Sequence, residues 1–275
     1  MIVHVEHEQL QEQQQESRLF QEIFYRKKYH SLHSGYYALL QMFLSQKALV
    51  LDVKAGLGDL ANYLAGKGYS LIALEQSRQL LDLARARNVA LHGNVDYRMS
   101  DACHLDLAEH VNAVIARNTL SGIHGADELS ELFSAVHAHL LDYGVFIFDF
   151  STEHECLAKR SEIVRESLGG IPFGRIMTIM RQQKYLASEH MSLVDWQVVS
   201  PHYQLKARSC IKIHDRDMLQ DALQRAGFHY VRFFDGGSLT EHMPLEEARD
   251  DSRMVIGVAR KVMFEEDIAH GGYGI

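Results

Sequence analysis

The sequence predicts an α/β fold built on a mostly parallel sheet. Short apolar runs rich in branched residues alternate with segments of helical periodicity, from about residue 48 to 150 and again from 217 to 259. Strands and helices that alternate in this way form βαβ units, in which each strand lies parallel to the next. A glycine-containing turn follows the first strand directly, which is typical of a ligand-binding edge in such a sheet.

The core elements follow one another at regular spacing. Before them, apolar and aromatic residues at helical spacing predict helices between Ser17 and Ser45, with a break at Ser34-Gly35. The strands predicted for the core are Ala48–Val53, Tyr69–Leu74, Val95–Met99, Val111–Ala116, Gly144–Phe150, Tyr230–Phe234 and Met254–Ala259. The helices predicted between them are Asp59–Gly66, Ser77–Arg87, Asp127–Leu141 and Asp217–Ala226.

The periodicity changes between the two halves of the core. From about residue 176 to 213, polar and apolar residues alternate in three stretches, which predicts antiparallel strands with one exposed face. The chain is therefore divided into a helical cap (1–46), a core (47–150 and 214–262), an inserted β lid (151–213) and a tail (263–275).

Composition narrows the functional classes. The net charge is −8 and no basic run exceeds Arg26–Lys28, so a small molecule or another protein is expected as the partner in preference to nucleic acid. No apolar run approaches the roughly 20 residues that span a bilayer, so no membrane association is expected. The three cysteines have no CxxC spacing and the 17 histidines are scattered, so neither disulfides nor a metal site are expected. The N-terminus is polar, which predicts a cytoplasmic protein. Lid strands that pair between chains could form a homodimer.

Polar residues and glycines collect where successive strands end. Gly56 and Gly58 follow the first strand, Glu75 ends the second, and Asp101 follows the third. Glycines let a backbone approach a ligand closely, and an acid at the end of the second strand can accept hydrogen bonds from a ribose diol. These positions predict a site for a nucleoside-containing cofactor. The third glycine of the dinucleotide motif Gly-x-Gly-x-x-Gly is absent, which argues against a nicotinamide oxidoreductase.

The motifs at these positions resemble those of the class I S-adenosylmethionine-dependent methyltransferases. DVKAGLG (52–58) is similar to the family's acid followed by Gly-x-Gly-x-Gly, and EQSRQLLDLA (75–84) to its second motif. Asp101-Ala102 matches the adenine motif, and the segments 140–150, 219–228 and 251–261 resemble the later core elements. The similarity spans about residues 48–261.

The resemblance implies a Rossmann-like, seven-stranded methyltransferase sheet whose last strand is antiparallel, with helices on both faces and an inserted antiparallel β lid. It also implies an enzyme that transfers a methyl group from S-adenosylmethionine to an N or O atom of a small molecule, leaving S-adenosylhomocysteine. The cofactor-binding residues that it implies are Asp52, Lys54, Ala55, Gly56, Gly58, Glu75, Gln76, Asp101, Ala102, Asn118 and Tyr29.

Lys54 departs from the family pattern, because it stands where relatives have the first glycine. Three interpretations remain open from sequence. The lysine points away or pairs with the cofactor carboxylate, leaving an active enzyme. It blocks the cofactor, leaving a non-catalytic scaffold or partner subunit. Or the scaffold supports another reaction, such as a cyclisation.

Other candidates lie around the expected acceptor position. His124 follows the fourth strand and has the chemistry of a general base, although a histidine that merely begins a helix fits the same pattern. Tyr37 is a candidate for the cofactor pocket. Trp196 and Tyr203 could line an acceptor pocket, although packing within the lid sheet is the simpler explanation for these two. Asn112 is expected to be only a polar residue at a strand start.

Overall fold

The structure is a computed structural model that describes residues 21–22, 30, 32–45, 47–91, 94–102, 105–158, 161–167, 176–200, 203–239 and 245–262. Its strands are β1 (Leu49–Asp52), β2 (Ser70–Glu75), β3 (Val95–Met99), β4 (Val111–Ala116), β5 (Leu140–Ser151), β6 (Ser161–Ser167), β7 (Ile176–Leu186), β8 (Met191–Ser200), β9 (Tyr203–Lys212), β10 (Tyr230–Asp235) and β11 (Met254–Arg260). Its helices are α1 (His33–Phe43), α2 (Asp59–Gly66), α3 (Arg78–Ala90), α4 (Ala126–His139), α5 (Glu153–Ala158) and α6 (Arg216–Arg225).

Seven strands form the central sheet in the order β10-β11-β5-β4-β1-β2-β3. The pairs from β3 to β5 are all parallel. Strand β11 runs antiparallel to both of its neighbours, β5 and β10. The predicted sheet with an antiparallel last strand is therefore confirmed.

Helices cover both faces of this sheet, because its central strands are apolar on both faces. One core joins Val50 and Ala73 with α1, α2 and the inner side of α3. The other joins Leu51 and Ile72 with α4 and α6. Neighbouring residues of one strand thus belong to opposite cores, as the side-chain alternation of a strand requires.

The lid is a separate four-stranded antiparallel sheet in the order β6-β7-β8-β9. The three predicted stretches correspond to β7, β8 and β9. Strand β6 was not predicted, because its sequence SEIVRES is short and polar, and its extended form is defined by pairing with β7. The inner face of the lid carries Trp196, which packs in one apolar cluster with Leu57 of the glycine turn and Leu80 of α3.

Three details differ from the sequence predictions. Helix α1 begins at His33 after a turn at Leu32, so the break predicted at Ser34-Gly35 lies two residues earlier in the chain. Gly35 itself allows close packing, because a β-carbon there would lie 2.3 Å from Leu239 Cγ. Strand β5 begins at Leu140, earlier than predicted, and the short helix α5 was not predicted. Segment 7–17 lies outside the described residues. In the described part of the chain, no helix has the length and apolar character needed to cross a membrane.

Candidate functional site

The predicted site residues lie along one edge of the central sheet. Strands β1 and β4 are neighbours, and strand order runs one way from β1 to β3 and the other way from β4 to β5. The carboxyl ends of parallel strands next to such a reversal form a crevice in which ligands bind. The loops after β1, β2, β3 and β4 all open at this edge.

The turn after β1 needs its glycines. Gly56 has φ +58° and Gly58 has φ +75°, in the left-handed region that other residues adopt at a cost. The Gly58 N–H donates to Ala55 O at 2.9 Å, and the Ala55 N–H donates to Leu74 O at 2.8 Å. Helix α2 begins immediately after Gly58. The turn therefore presents bare backbone and a helix N-terminus to the crevice.

Glu75 braces this turn from the end of β2. Its side chain is buried, and its Oε2 accepts from the Gly56 N–H at 3.0 Å, while Oε1 accepts from the Ser77 N–H at 2.7 Å. A carboxylate has about four acceptor positions, so it can accept from several donors at once. The adjacent Gln76 is exposed. The two predicted residues therefore differ in setting, with Glu75 inside the site and Gln76 at its surface.

Two residues that were not predicted from the sequence, Arg87 and Tyr97, stabilise the glycine turn. Arg87 donates from Nη1 to Leu57 O at 2.9 Å and also forms an ion pair with Asp59. Tyr97 donates from its hydroxyl to Gly58 O at 3.4 Å, and burial raises the pKa of this phenol, so it stays neutral. These three contacts join positions 28 to 39 residues apart along the chain, and no local motif signals them.

The carboxyl group of Asp52 is buried in a position that disfavours its charged form. It is fully buried, and burial raises its pKa to about 6, although the nearby Arg117 guanidinium acts in the opposite direction. Its Oδ1 accepts from the Lys54 N–H at 3.3 Å. Its buried Oδ2 has no hydrogen-bond partner among the described residues. Buried polar atoms are normally paired, so this atom marks the crevice as built for a ligand or for water.

Lys54 reaches across the crevice to the loop after β4. Its Nζ donates to Asn118 O at 2.9 Å. Asn118 has φ +51°, its N–H donates to the buried Asp149, and its side chain accepts from Ser121 Oγ at 3.0 Å. The Lys54 side chain is thus directed away from Gly56 and towards a loop whose conformation is fixed by Asp149.

The other predicted residues are placed as follows. Asp101 and Ala102 are half-buried directly after β3, on the same edge as Glu75. Tyr29 lies outside the described residues. Tyr37 packs against Tyr69 with ring centroids 6.2 Å apart. Because Tyr69 precedes β2, Tyr37 lies at the opposite edge of the sheet, and the prediction that it lines the pocket is wrong.

The predicted acceptor side contains two histidines in different environments. His124 is exposed, and its N–H donates to Glu128 Oε2 at 3.2 Å at the start of α4. His214 is buried behind the same loop, where its Nε2 lies 2.8 Å from Leu120 O and burial lowers its pKa. No sequence pattern marks His214, because its role depends on the lid meeting this loop.

Two predicted acceptor-side aromatic residues and one predicted strand-start residue can also be placed. The indole of Trp196 donates to Ser209 Oγ at 2.8 Å inside the lid packing. Tyr203 begins β9, and its side chain lies outside the described part. Asn112 accepts from the Leu49 N–H at 2.9 Å and so ties the start of β1 to β4. Within the described ranges, no group of three histidine, cysteine or acidic residues could hold a metal ion.

Glu22 is a further site residue that the sequence analysis missed. A β-carbon placed on Gly56 would lie within 3.2 Å of both carboxylate oxygens of Glu22. The Glu22 side chain therefore lies against the open face of the glycine turn. Nothing in the surrounding sequence SRLFQEIFYRK (17–27) marks this residue as part of a site.

Residues 50–144 match a family model described as a methyltransferase domain. The matched range contains the glycine turn, Glu75, Asp101, Asn118 and His124. This part of the chain is therefore similar to a methyltransferase domain. The resemblance to the class I S-adenosylmethionine-dependent methyltransferases is thereby confirmed. A search of curated proteins found no match to the chain.

Solved methyltransferases share the fold of most of this chain. The CcbJ methyltransferase from Streptomyces caelestis is 20% identical, with a TM-score of 0.67 over 84% of this chain and 90% of the other. DesVI from Streptomyces venezuelae is 17% identical, with a TM-score of 0.67 over 88% and 96%. The sugar N-methyltransferase KedS8 from Streptoalloteichus sp. is 16% identical, with a TM-score of 0.65 over 87% and 92%.

Proposed function

We propose that this methyltransferase uses S-adenosylmethionine to methylate an N or O atom of a small molecule, releasing S-adenosylhomocysteine. The observation that carries the proposal is the glycine turn braced by the buried carboxylate of Glu75 at the point where strand order reverses. This arrangement suits a nucleoside cofactor, because it combines bare backbone, a helix N-terminus and a ribose-binding acid.

The residues at the sheet edge match the parts of this cofactor in order. Asp101, Glu75, Lys54 and Asn118 follow four neighbouring strands, β3, β2, β1 and β4. Strands lie about 4.8 Å apart, so the row spans about 14 Å. In this assignment Asp101 meets the adenine amino group, Glu75 accepts from the ribose hydroxyls, and the amino-acid end lies between Lys54 and Asn118.

The cofactor supplies a methyl group activated by its sulfonium, so the protein has to orient the acceptor and take up its proton. His124 is the candidate base, because it is exposed and lies two residues after the Leu120–Gly122 turn, in the loop that follows β4. His214 holds that turn from behind through Leu120 O and acts as a positioning residue.

The position of the lid favours a compact acceptor molecule. Its inner face packs on Leu57 of the glycine turn, and β9 contacts the Leu120–Gly122 turn, so it spans both sides of the crevice. An acceptor must therefore fit beneath the lid, which argues against double-stranded nucleic acid. Amines are the first acceptors to test, since KedS8 is a sugar N-methyltransferase. A homodimer through lid strands stays a prediction.

The proposal is tested by incubating the purified chain with S-adenosylmethionine and separate panels of amino sugars, other small amines and small alcohols. The expected result is acceptor-dependent formation of S-adenosylhomocysteine with at least one panel. The variant His124→Gln should lower turnover about 100-fold or more, as loss of a general base does. The matched variant His229→Gln, an exposed histidine outside the crevice, should leave it unchanged. Cofactor binding without turnover on any panel would favour the non-catalytic scaffold.

A further inference from the structure

The buried carboxyl of Asp52 lies at the base of the crevice, directly before the glycine turn. We propose that Asp52 makes the site selective for S-adenosylmethionine over S-adenosylhomocysteine, because it gives up its proton when the positively charged cofactor binds. The inference rests on the proposed function and deepens it. It gives Asp52 a role in specificity in addition to its place at the end of β1.

The surroundings of Asp52 favour its neutral form in the protein without cofactor. Its Oδ1 accepts from the Lys54 N–H at 3.3 Å, and its buried Oδ2 accepts no hydrogen bond from the described residues. A carboxylate has about four acceptor positions, and an ionised carboxylate is costly to bury unless donors pair with it. One long bond from a backbone N–H does not meet this need. The site therefore has a place for a positive charge that the chain itself does not fill.

The charged and titratable groups around Asp52 act in the same direction. Burial is the largest cause of its raised pKa, and the carboxylates of Glu75 on β2 and Glu22 add to it. The guanidinium of Arg117, after β4, opposes them. Tyr97 on β3 adds no charge, because burial raises the pKa of its phenol. A third negative charge is thus unfavourable here, and the pKa of Asp52 is about 6.

The two ligands differ in charge at the reacting atom. S-adenosylmethionine carries an ammonium, a carboxylate and a sulfonium, so it has one positive charge in excess. S-adenosylhomocysteine keeps the ammonium and the carboxylate but has a neutral thioether. A positive charge in a crevice of low dielectric constant lowers the pKa of a nearby carboxyl group. Asp52 therefore releases its proton to solvent when the cofactor binds. It takes a proton up again once methyl transfer has removed the sulfonium charge.

Calorimetric titration at pH 5 and pH 7 tests this role. With a pKa of about 6, Asp52 is ionised in about one tenth of the cofactor-free molecules at pH 5 and in about nine tenths at pH 7. Apparent affinity scales with the fraction of molecules in the binding-competent form. S-adenosylmethionine should therefore bind about tenfold more weakly at pH 5 than at pH 7. S-adenosylhomocysteine should show a smaller change.

The released protons can be counted directly. Binding heats measured at pH 5 in two buffers with different heats of ionisation give the number of protons that leave with each ligand. The wild type should release about one proton per S-adenosylmethionine bound, and fewer with S-adenosylhomocysteine. Asp52→Asn cannot ionise but can still accept from the Lys54 N–H, so it should lose this release and most of the dependence on pH.

The comparison with Asp52→Asn isolates this carboxyl, because histidines also titrate in this pH range. Asp82→Asn is the matched control, since the Asp82 side chain is 56% exposed on α3, and it should behave as the wild type does. Thermal unfolding should show that both variants are folded. If Asp52→Asn does not fold, the proton count of the wild type decides, and a count of zero at pH 5 refutes the proposal.

The outcomes separate this inference from the proposed function. Equal dependence on pH for the two ligands, or equal proton release by the wild type and Asp52→Asn, would overturn the role of Asp52 and leave the cofactor site in place. Binding of neither ligand at either pH would overturn the proposed function, and this inference with it.

Discussion

Replacing Asp52 by asparagine should stabilise the protein at neutral pH. Burial raises the pKa of this carboxyl from its ordinary 3.8 to about 6 in the folded chain. The folded state therefore favours the protonated form, and ionisation at higher pH costs stability. The stability that the neutral carboxyl contributes is fully present below pH 3.8 and is lost as the pH rises to about 6.

The size of this change in stability follows from the two pKa values of Asp52. One pKa unit corresponds to about 1.4 kcal/mol, so a rise from 3.8 to about 6 corresponds to about 3 kcal/mol over the whole window. Between pH 4.5 and pH 7.5 the linkage relation gives about 2 kcal/mol. Asparagine does not ionise, and its side-chain oxygen can still accept from the Lys54 N–H. Asp52→Asn should therefore gain about 2 kcal/mol relative to the wild type on going from pH 4.5 to pH 7.5.

Urea unfolding at the two pH values measures this difference directly. Asp82→Asn is the control, because the Asp82 side chain is 56% exposed on α3 and its substitution should show no comparable dependence on pH. If the stability difference between Asp52→Asn and the wild type is the same at both pH values, the carboxyl has an ordinary pKa. The account of a strained, buried acid at the base of the crevice would then be wrong.

Two other substitutions probe the site and the core. Glu75→Ala should weaken S-adenosylhomocysteine binding at least tenfold in calorimetry, because it removes both the ribose acceptor and the hydrogen bond that supports the glycine turn. Gln76→Ala, at an exposed position, should leave this affinity unchanged. Equal losses of affinity in the two variants would refute the ribose assignment. Gly257→Ala should cost about 1–3 kcal/mol in chemical unfolding, because its β-carbon would lie 2.1 Å from the Phe148 ring. Gly66→Ala, with open space at that position, should not destabilise the fold, and equal losses would contradict the packing argument.

The strands and helices of the central sheet could be predicted from sequence, because the patterns that indicate them are local. A buried parallel strand reads as a short apolar run, and the helices between strands repeat every 3.6 residues. Predicted and observed bounds agree to within about four residues for every core element. Strand β6 escaped prediction because its sequence is polar and its conformation depends on pairing with β7.

Site residues could be predicted from sequence only where they directly follow the end of a strand. Glu75 was found because it terminates a recognisable strand, and Gly56 because glycine marks a turn. Arg87, Tyr97 and Asp149 act through contacts with residues 28 to 39 positions away, and periodicity carries no information about such contacts. Lys54 shows the same limit: its identity was evident from sequence, but its bond to Asn118 depends on β1 and β4 being neighbours.

Calorimetric titration of the wild-type chain with S-adenosylmethionine and S-adenosylhomocysteine tests the proposed function most directly. The expected result is one binding site per chain for each ligand. It should be accompanied by stabilisation of the fold by about 2.7 kcal/mol when the ligand concentration is 100 times the dissociation constant. The absence of both heat and a thermal shift at millimolar ligand would contradict the proposed cofactor site and, with it, the proposed methyl transfer.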